Sequence, residues 1–267
     1  MESLFGLLKD TLPIDSIWFH SVLLINIRPR YANSLAKFLF SQPKGSYMSK
    51  EIVKSADVIV TFDSERCIHS RNCVLDRPDV FVPNVDGEWI HPENASADEV
   101  LEIAHNCPSG AIQAYYPDGT LMEKPPKVNV IRVTENGPNY IHAKHSVNGQ
   151  QDAMRMVLCR CGHSKQKPYC DGSHHEVNFE ATGEPPSKEI KLPNVSDASG
   201  GELRIEPMKN GPNFIYGNVE VVTGTGRTIT RDTEVHLCRC GHSGHKPFCD
   251  STHVKVGFKA DGFEVKK

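Results

Sequence analysis

The 267-residue chain is 38% hydrophobic and 24% charged, ordinary for a water-soluble protein but spare for one large core, which favours several small units. Its formal net charge of -3 and its lack of any block of Lys and Arg exclude a general nucleic-acid binder. The cysteines fall in three triplets, at 67, 73 and 107, at 159, 161 and 170, and at 238, 240 and 249, a spread that fits metal or cluster sites in a reducing compartment better than a disulfide framework.

Residues 1–47 differ from everything after them. Ile17–Ile27 is apolar but interrupted by His20 and Asn26, and it is too short to span a bilayer. Glu2, Asp10 and Asp15 fit a transit peptide poorly, and no small-residue cleavage site stands out. Met48 opens a different composition, so 1–47 is read as an extension of open status and kept out of fold reasoning.

Residues 48–124 read as a small α+β unit. Asp57–Asp63 alternates as a strand, Ala95–Asn106 is a helix with Ser96 and Glu99 in capping-box spacing, and Gly110–Tyr115 is a second strand. The segment holds 14 acidic and 6 basic residues, a net of -8. Cys67 and Cys73 stand in C-x5-C, and Cys107 precedes Pro108. Bacterial ferredoxins use C-x2-C-x2-C with a distant Cys-Pro, and here the middle ligand position is Ser70. The segment resembles the divergent single-cluster ferredoxin family. That resemblance implies a [3Fe-4S] cluster on Cys67, Cys73 and Cys107, or a [4Fe-4S] cluster completed by Ser70, His69 or water; unreactive core thiols are the alternative. His69 and His105 are expected at the surface and Trp89 in packing.

The remaining cysteines lie in a tandem repeat. Asn136–Ile141 (NGPNYI) recurs as Asn210–Ile215 (NGPNFI), LCRCGHS opens both cysteine loops, and Phe179–Ala181 recurs as Phe258–Ala260. Alternating stretches before each loop, with Asn-Gly-Pro turns, predict two short β-meanders, 125–181 and 202–267, joined by a linker over 182–201.

Within each loop, the thiols of C-x-C point to one side of an extended chain, and Cys and His at i and i+4 share one helical face. Cys159 with Cys161 can therefore hold one iron, and Cys170 with His174 a second; four terminal ligands suit a [2Fe-2S] cluster. Asp171 is placed to cap a short helix, Ser164 to donate to a sulfur, Tyr169 and Phe248 to pack nearby, and Arg160 and Arg239 to turn away into solvent or a salt bridge. His163 and His242 are expected to be exposed.

These residues are similar to the CDGSH iron-sulfur (mitoNEET-like) family. Its pattern C-x-C-x2-S-x3-P-x-C-D-G-S-H is met in full from Cys159 to His174. Cys238, Cys240, Cys249 and His253 match in the second copy, where Ser251 and Thr252 replace Gly-Ser; if the glycine position needs positive φ, Ser251 loosens that turn. The resemblance implies two [2Fe-2S] clusters and two repeats packed as a pseudo-twofold pair within a monomer. A structural zinc site of three Cys and one His is the alternative. The chain is thus expected to be a cytoplasmic iron-sulfur protein of α+β class, a ferredoxin-like domain followed by two β-rich repeats. Its expected work is one-electron transfer with a reductase or acceptor protein; delivery of clusters to an apo iron-sulfur protein is the second reading. No nucleophile-base pair or phosphate loop points to an enzyme, and neither nucleic acid nor a membrane is expected as a partner.

Overall fold

The computed structural model describes residues 50–186 and 200–264, so the extension over 1–47 and most of the linker lie outside the described residues. The first sheet is antiparallel, in the order β1 (Lys50–Lys54), β2 (Ile59–Asp63), β3 (Ile112–Tyr115), with Val53 opposite Val60 and Phe62 opposite Ile112. A short helix α1 (Asn72–Asp76) and a longer one, α2 (Ala97–Asn106), lie between β2 and β3. The predicted capping box closes α2: Ser96 Oγ accepts from Glu99 N, and Glu99 Oε2 accepts from Ser96 N at 2.8 Å. That box satisfies amides no helical carbonyl can reach and fixes where the helix starts. The apolar side of α2 buries Val100, Ile103 and Ala104 with Val58, Val60, Ile112 and Ala114. Trp89 packs as expected, 4.8 Å edge-on to Phe62. Strand β1 was not apparent from the sequence, because its lysines flank an exposed edge.

Among the described residues the repeats form one eight-stranded sheet. Its strands are β4 (Val130–Val133), β5 (Asn139–His142), β6 (His145–Val147), β7 (Gln150–Gln151) and β8 (Arg155–Leu158), then β9 (Leu203–Pro207), β10 (Asn213–Val222) and β11 (Thr228–Leu237). The repeats do not close separately as two meanders. β4 runs parallel to the end of β10, Val130 to Arg132 beside Glu220 to Val222, and β9 runs parallel to β6, Leu203 to Ile205 beside His145 to Val147. Each repeat thus lends its first strand to the other, and one core joins Ile131, Ile141, Met156 and Leu158 to Ile205, Ile215, Val221 and Leu237. β10 serves both halves by bending at Gly217, whose φ is 115° and where a Cβ would lie 2.7 Å from the Glu202 carbonyl oxygen.

The two motifs that recur outside the cysteine loops meet each other. Asn136, at φ 48°, donates its amide to Ala181 O and accepts from Ala181 N through Oδ1, both at 2.9 Å; Asn210, at φ 54°, does the same with Ala260. Asn tolerates the left-handed turn and its side chain mimics a backbone acceptor, so each Asn-Gly-Pro turn anchors the chain leaving its own metal loop. Among the described residues no helix is long and apolar enough to cross a membrane.

Candidate metal centre

Both loops are closed by the same backbone bonds. Cys159 N donates to Pro168 O at 2.9 Å and Cys170 N to Val157 O at 2.9 Å; Cys238 N to Pro247 O and Cys249 N to His236 O repeat them at 2.8 Å. The two ends of each loop are thus held side by side, with one ligand pair at the strand end and the other at the helix turn. Cys159 and Cys161 Sγ are 3.7 Å apart, and Cys170 Sγ is 3.5 Å from His174 Nδ1; the second loop gives 3.7 Å for Cys238 and Cys240, and 3.4 Å for Cys249 and His253. A tetrahedral metal with bonds of about 2.3 Å to sulfur and about 2.0 Å to nitrogen separates two sulfurs by about 3.8 Å and sulfur from nitrogen by about 3.5 Å. Each pair is therefore spaced to share one metal. Among the described residues no group of three or more His, Cys, Asp or Glu is arranged around a single ion site.

The surroundings favour thiolate once metal is bound. His163 N donates to Cys161 Sγ and Gly172 N to Cys170 Sγ, both at 3.4 Å, and His242 N and Ser251 N do the same for Cys240 and Cys249. Such N–H to sulfur bonds stabilise the charged form. Without metal, Cys159 and Cys161 share one proton through their mutual hydrogen bond, which holds Cys159 down to about 6 and pushes Cys161 up. Burial pushes Cys170 and Cys240 up to about 11. Burial and the neighbouring His175 lower His174, keeping its imidazole neutral and able to ligate.

Three loop residues sit differently from expectation. Arg160 and Arg239 are each 1% exposed, neither solvated nor salt-bridged. Arg160 donates to the carbonyls of Gly137, Thr182, Thr134 and Ala181 at 2.7–3.0 Å, and Arg239 to those of Met208 and Asp261. A planar five-donor fork suits the diverging carbonyls of a turn, which the sequence alone does not place nearby. Ser164 spends its hydroxyl proton on Tyr169 O at 2.6 Å instead of on a sulfur. Asp171 accepts from Ser173 N at 3.0 Å and Lys165 N at 2.7 Å, bracing helix α3 (Ser173–Glu176), whose formal cap is Gly172. Tyr169 and Phe248 pack against the core, and His163 and His242 are exposed, as expected. The glycines after the C-x-C motifs were missed: a Cβ on Gly162 would lie 2.4 Å from Cys240 O, and one on Gly241 2.2 Å from Cys161 O. The two loops therefore touch backbone to backbone, and the CRCGH written twice is the signal of it.

The N-terminal triplet lies on one core. Cys107 ends α2 and is buried, while Cys67 and Cys73, half-buried, pack against the same core. Burial first, then the proximity of Cys107, raises the pKa of both Cys67 and Cys73. His69 is exposed at φ 54°, with Nδ1 3.9 Å from Cys67 Sγ, and Ser70 and His105 are exposed as well.

Paired thiol and imidazole ligands in two loops, beside a third thiol set, define an iron-sulfur protein. Residues 128–175 and 210–254 match the family described as iron-binding zinc finger, CDGSH type, and residues 53–116 match the divergent 4Fe-4S mono-cluster family. The chain carries two CDGSH segments behind one divergent 4Fe-4S segment. A CDGSH iron-sulfur domain-containing protein 2 homolog from Trichoplax adhaerens is 47% identical over 34 residues, 13% of this chain; the match spans 24% of that relative's own length.

Proposed function

We propose that the chain is a one-electron carrier. In this reading Cys159, Cys161, Cys170 and His174 hold one [2Fe-2S] cluster, Cys238, Cys240, Cys249 and His253 a second, and Cys67, Cys73 and Cys107 a [3Fe-4S] or [4Fe-4S] cluster. The observation that carries the reading is the pairwise spacing of ligands, repeated in both loops. The reciprocal strand exchange supports treating the repeats as a pseudo-twofold pair within a monomer. Each cluster supplies a centre that gains or loses a single electron. The protein's own part is to bury the thiolates, aim amides at the sulfurs and leave one imidazole of each site half-exposed.

A carrier of this kind meets a reductase or acceptor protein in the cytoplasm and turns over no substrate of its own. Cluster delivery to an apo iron-sulfur protein is a second reading, favoured by the half-exposure of His174 and His253, since a ligand reached by water is the first to be lost. Anaerobic purification, iron and sulfide analysis, and EPR of oxidised and reduced samples test the proposal. An oxidised signal that Cys107→Ser abolishes assigns the three-iron form to the N-terminal thiols; a signal found only on reduction that Cys107→Ser abolishes, beside the reduced signals of the two repeats, assigns the four-iron form. Zinc without sulfide would overturn the reading.

A further inference from the structure

Two buried charged contacts tie the N-terminal unit to the first repeat, and both touch residues beside metal ligands. Arg66, next to Cys67, forms an ion pair with Asp152, its side chain 11% exposed and that of Asp152 15%. The same Asp152 oxygen accepts from Tyr169 OH at 3.0 Å and lies 3.5 Å from His145 Nε2. Tyr169 is the residue before Cys170, and the Arg66 guanidinium lies over its ring, 5.0 Å from the centroid. In the second contact Arg155, four residues before Cys159, binds Glu123 through two bonds of 2.6 and 2.7 Å. Its remaining donors reach the carbonyls of Ala104 and Cys107 at the end of α2 and of Ile112 at the start of β3. Gly110 lets the strands close, since a Cβ there would lie 2.4 Å from Arg155 O.

Among the described residues the second repeat lacks this apparatus. Phe248 stands where Tyr169 does, without the hydroxyl, and Glu234 stands where Arg155 does, exposed and opposite in charge. The ladder confirms the correspondence: Arg155 pairs with His142 on β5, and Glu234 with Tyr216 on β10. Identical folding of the two repeats does not require the first to differ in this way; an interface does.

We infer that Arg66, Asp152 and Tyr169, with Arg155 and Glu123, form an intramolecular bridge that couples the loop of Cys67 to the loop of Cys170 and leaves the loop of Cys249 outside the coupling. These are positioning residues: they touch the ligands' neighbours, not the metal. The inference rests on the proposed metal sites for its significance, but its test does not. A bridge of this sort is reciprocal, so a change made on one side is felt on the other by the same factor.

Hydrogen exchange of the full-length protein as isolated, followed by mass spectrometry, reads the coupling. Tyr169→Phe installs the residue the second repeat already tolerates and removes one hydrogen bond. Amides of residues 64–73, across the interface, should exchange about fivefold faster, the change that loss of about 1 kcal/mol produces. Arg66→Met should speed residues 165–172 by about tenfold or more, and Arg66→Lys should recover part of the protection. Residues 244–251 should keep their wild-type rates in every variant. Unchanged exchange across the interface, or an equal rise in both repeats, would overturn the inference. If Arg66→Met does not fold, Tyr169→Phe alone decides. Zinc, or no metal, in the isolated protein would sink the proposed function and leave this test readable.

Discussion

Gly172 and Ser251 hold the same place in the two metal loops, one residue before the short helices α3 and α4 (Thr252–Lys255), and they adopt the same left-handed backbone, φ 87° and φ 70°. The turn cannot relax elsewhere, because it aims the Gly172 and Ser251 amides at Cys170 and Cys249 Sγ, both at 3.4 Å. Glycine adopts this conformation freely, whereas an L side chain costs about 1–2 kcal/mol there. No atom lies within 4 Å of the position a Cβ would take on Gly172, so the cost is conformational and not a clash. Ser251→Gly should therefore steady the second loop by about 1 kcal/mol, and Gly172→Ser should loosen the first by a similar amount. That is about a fivefold change in the opening of each loop. The decay of visible absorbance in mild acid, resolved by repeat, measures it: the second site should bleach first in wild type, and Ser251→Gly should remove the difference. Equal decay in wild type, or no slowing in Ser251→Gly, would refute the strain argument.

Replacing Arg160 with Leu leaves four turn carbonyls without their donor and should cost at least about 3 kcal/mol, read as a lower urea midpoint; Arg160→Lys should recover only part, because an ammonium lacks the fork. The pH dependence has a definite sign. His174 has a lowered folded pKa, so its contribution is complete above the unfolded value of about 6.5 and is lost as pH falls through the folded one; His174→Cys should slow acid bleaching of its own repeat and leave the other unchanged. Burial would raise Asp152, but the adjacent imidazole of His145 and the charge of Arg66 hold it below the usual carboxylate range, so the interdomain bridge should outlast the imidazole ligands on acidification, seen as hydrogen-exchange protection persisting after the colour is gone. The acidic N-terminal unit should dock on a basic partner, so its reduction rate should fall steeply as salt rises toward a Debye length of about 8 Å.

The parts of this protein legible in its sequence are those fixed by local chemistry. Ser96 and Glu99 announce a helix start because capping needs only three residues, and Cys159 to His174 announces two metal pairs because strand and helix periods place each pair without help from the rest of the chain. Contacts between distant segments were not legible. Arg160 lies between two thiols and looks like a surface residue until the turns at Thr134 and Ala181 close over it. Asp152, Arg155 and Glu123 look like ordinary surface charges until the N-terminal unit and the first repeat close on each other. The strand exchange was hidden for the same reason: each repeat's alternation predicts strands, but nothing in one repeat states that β4 will lie beside β10.

The central claim is that each repeat holds two irons on two ligand pairs, and metal stoichiometry tests it most directly. The variant with Cys67, Cys73 and Cys107 all changed to Ser, purified anaerobically, isolates the two repeats within the full chain. The account predicts about four irons and four sulfides per chain, falling to about two of each when His174 and Cys170 are also replaced by Ala. One zinc per repeat with no sulfide would contradict it.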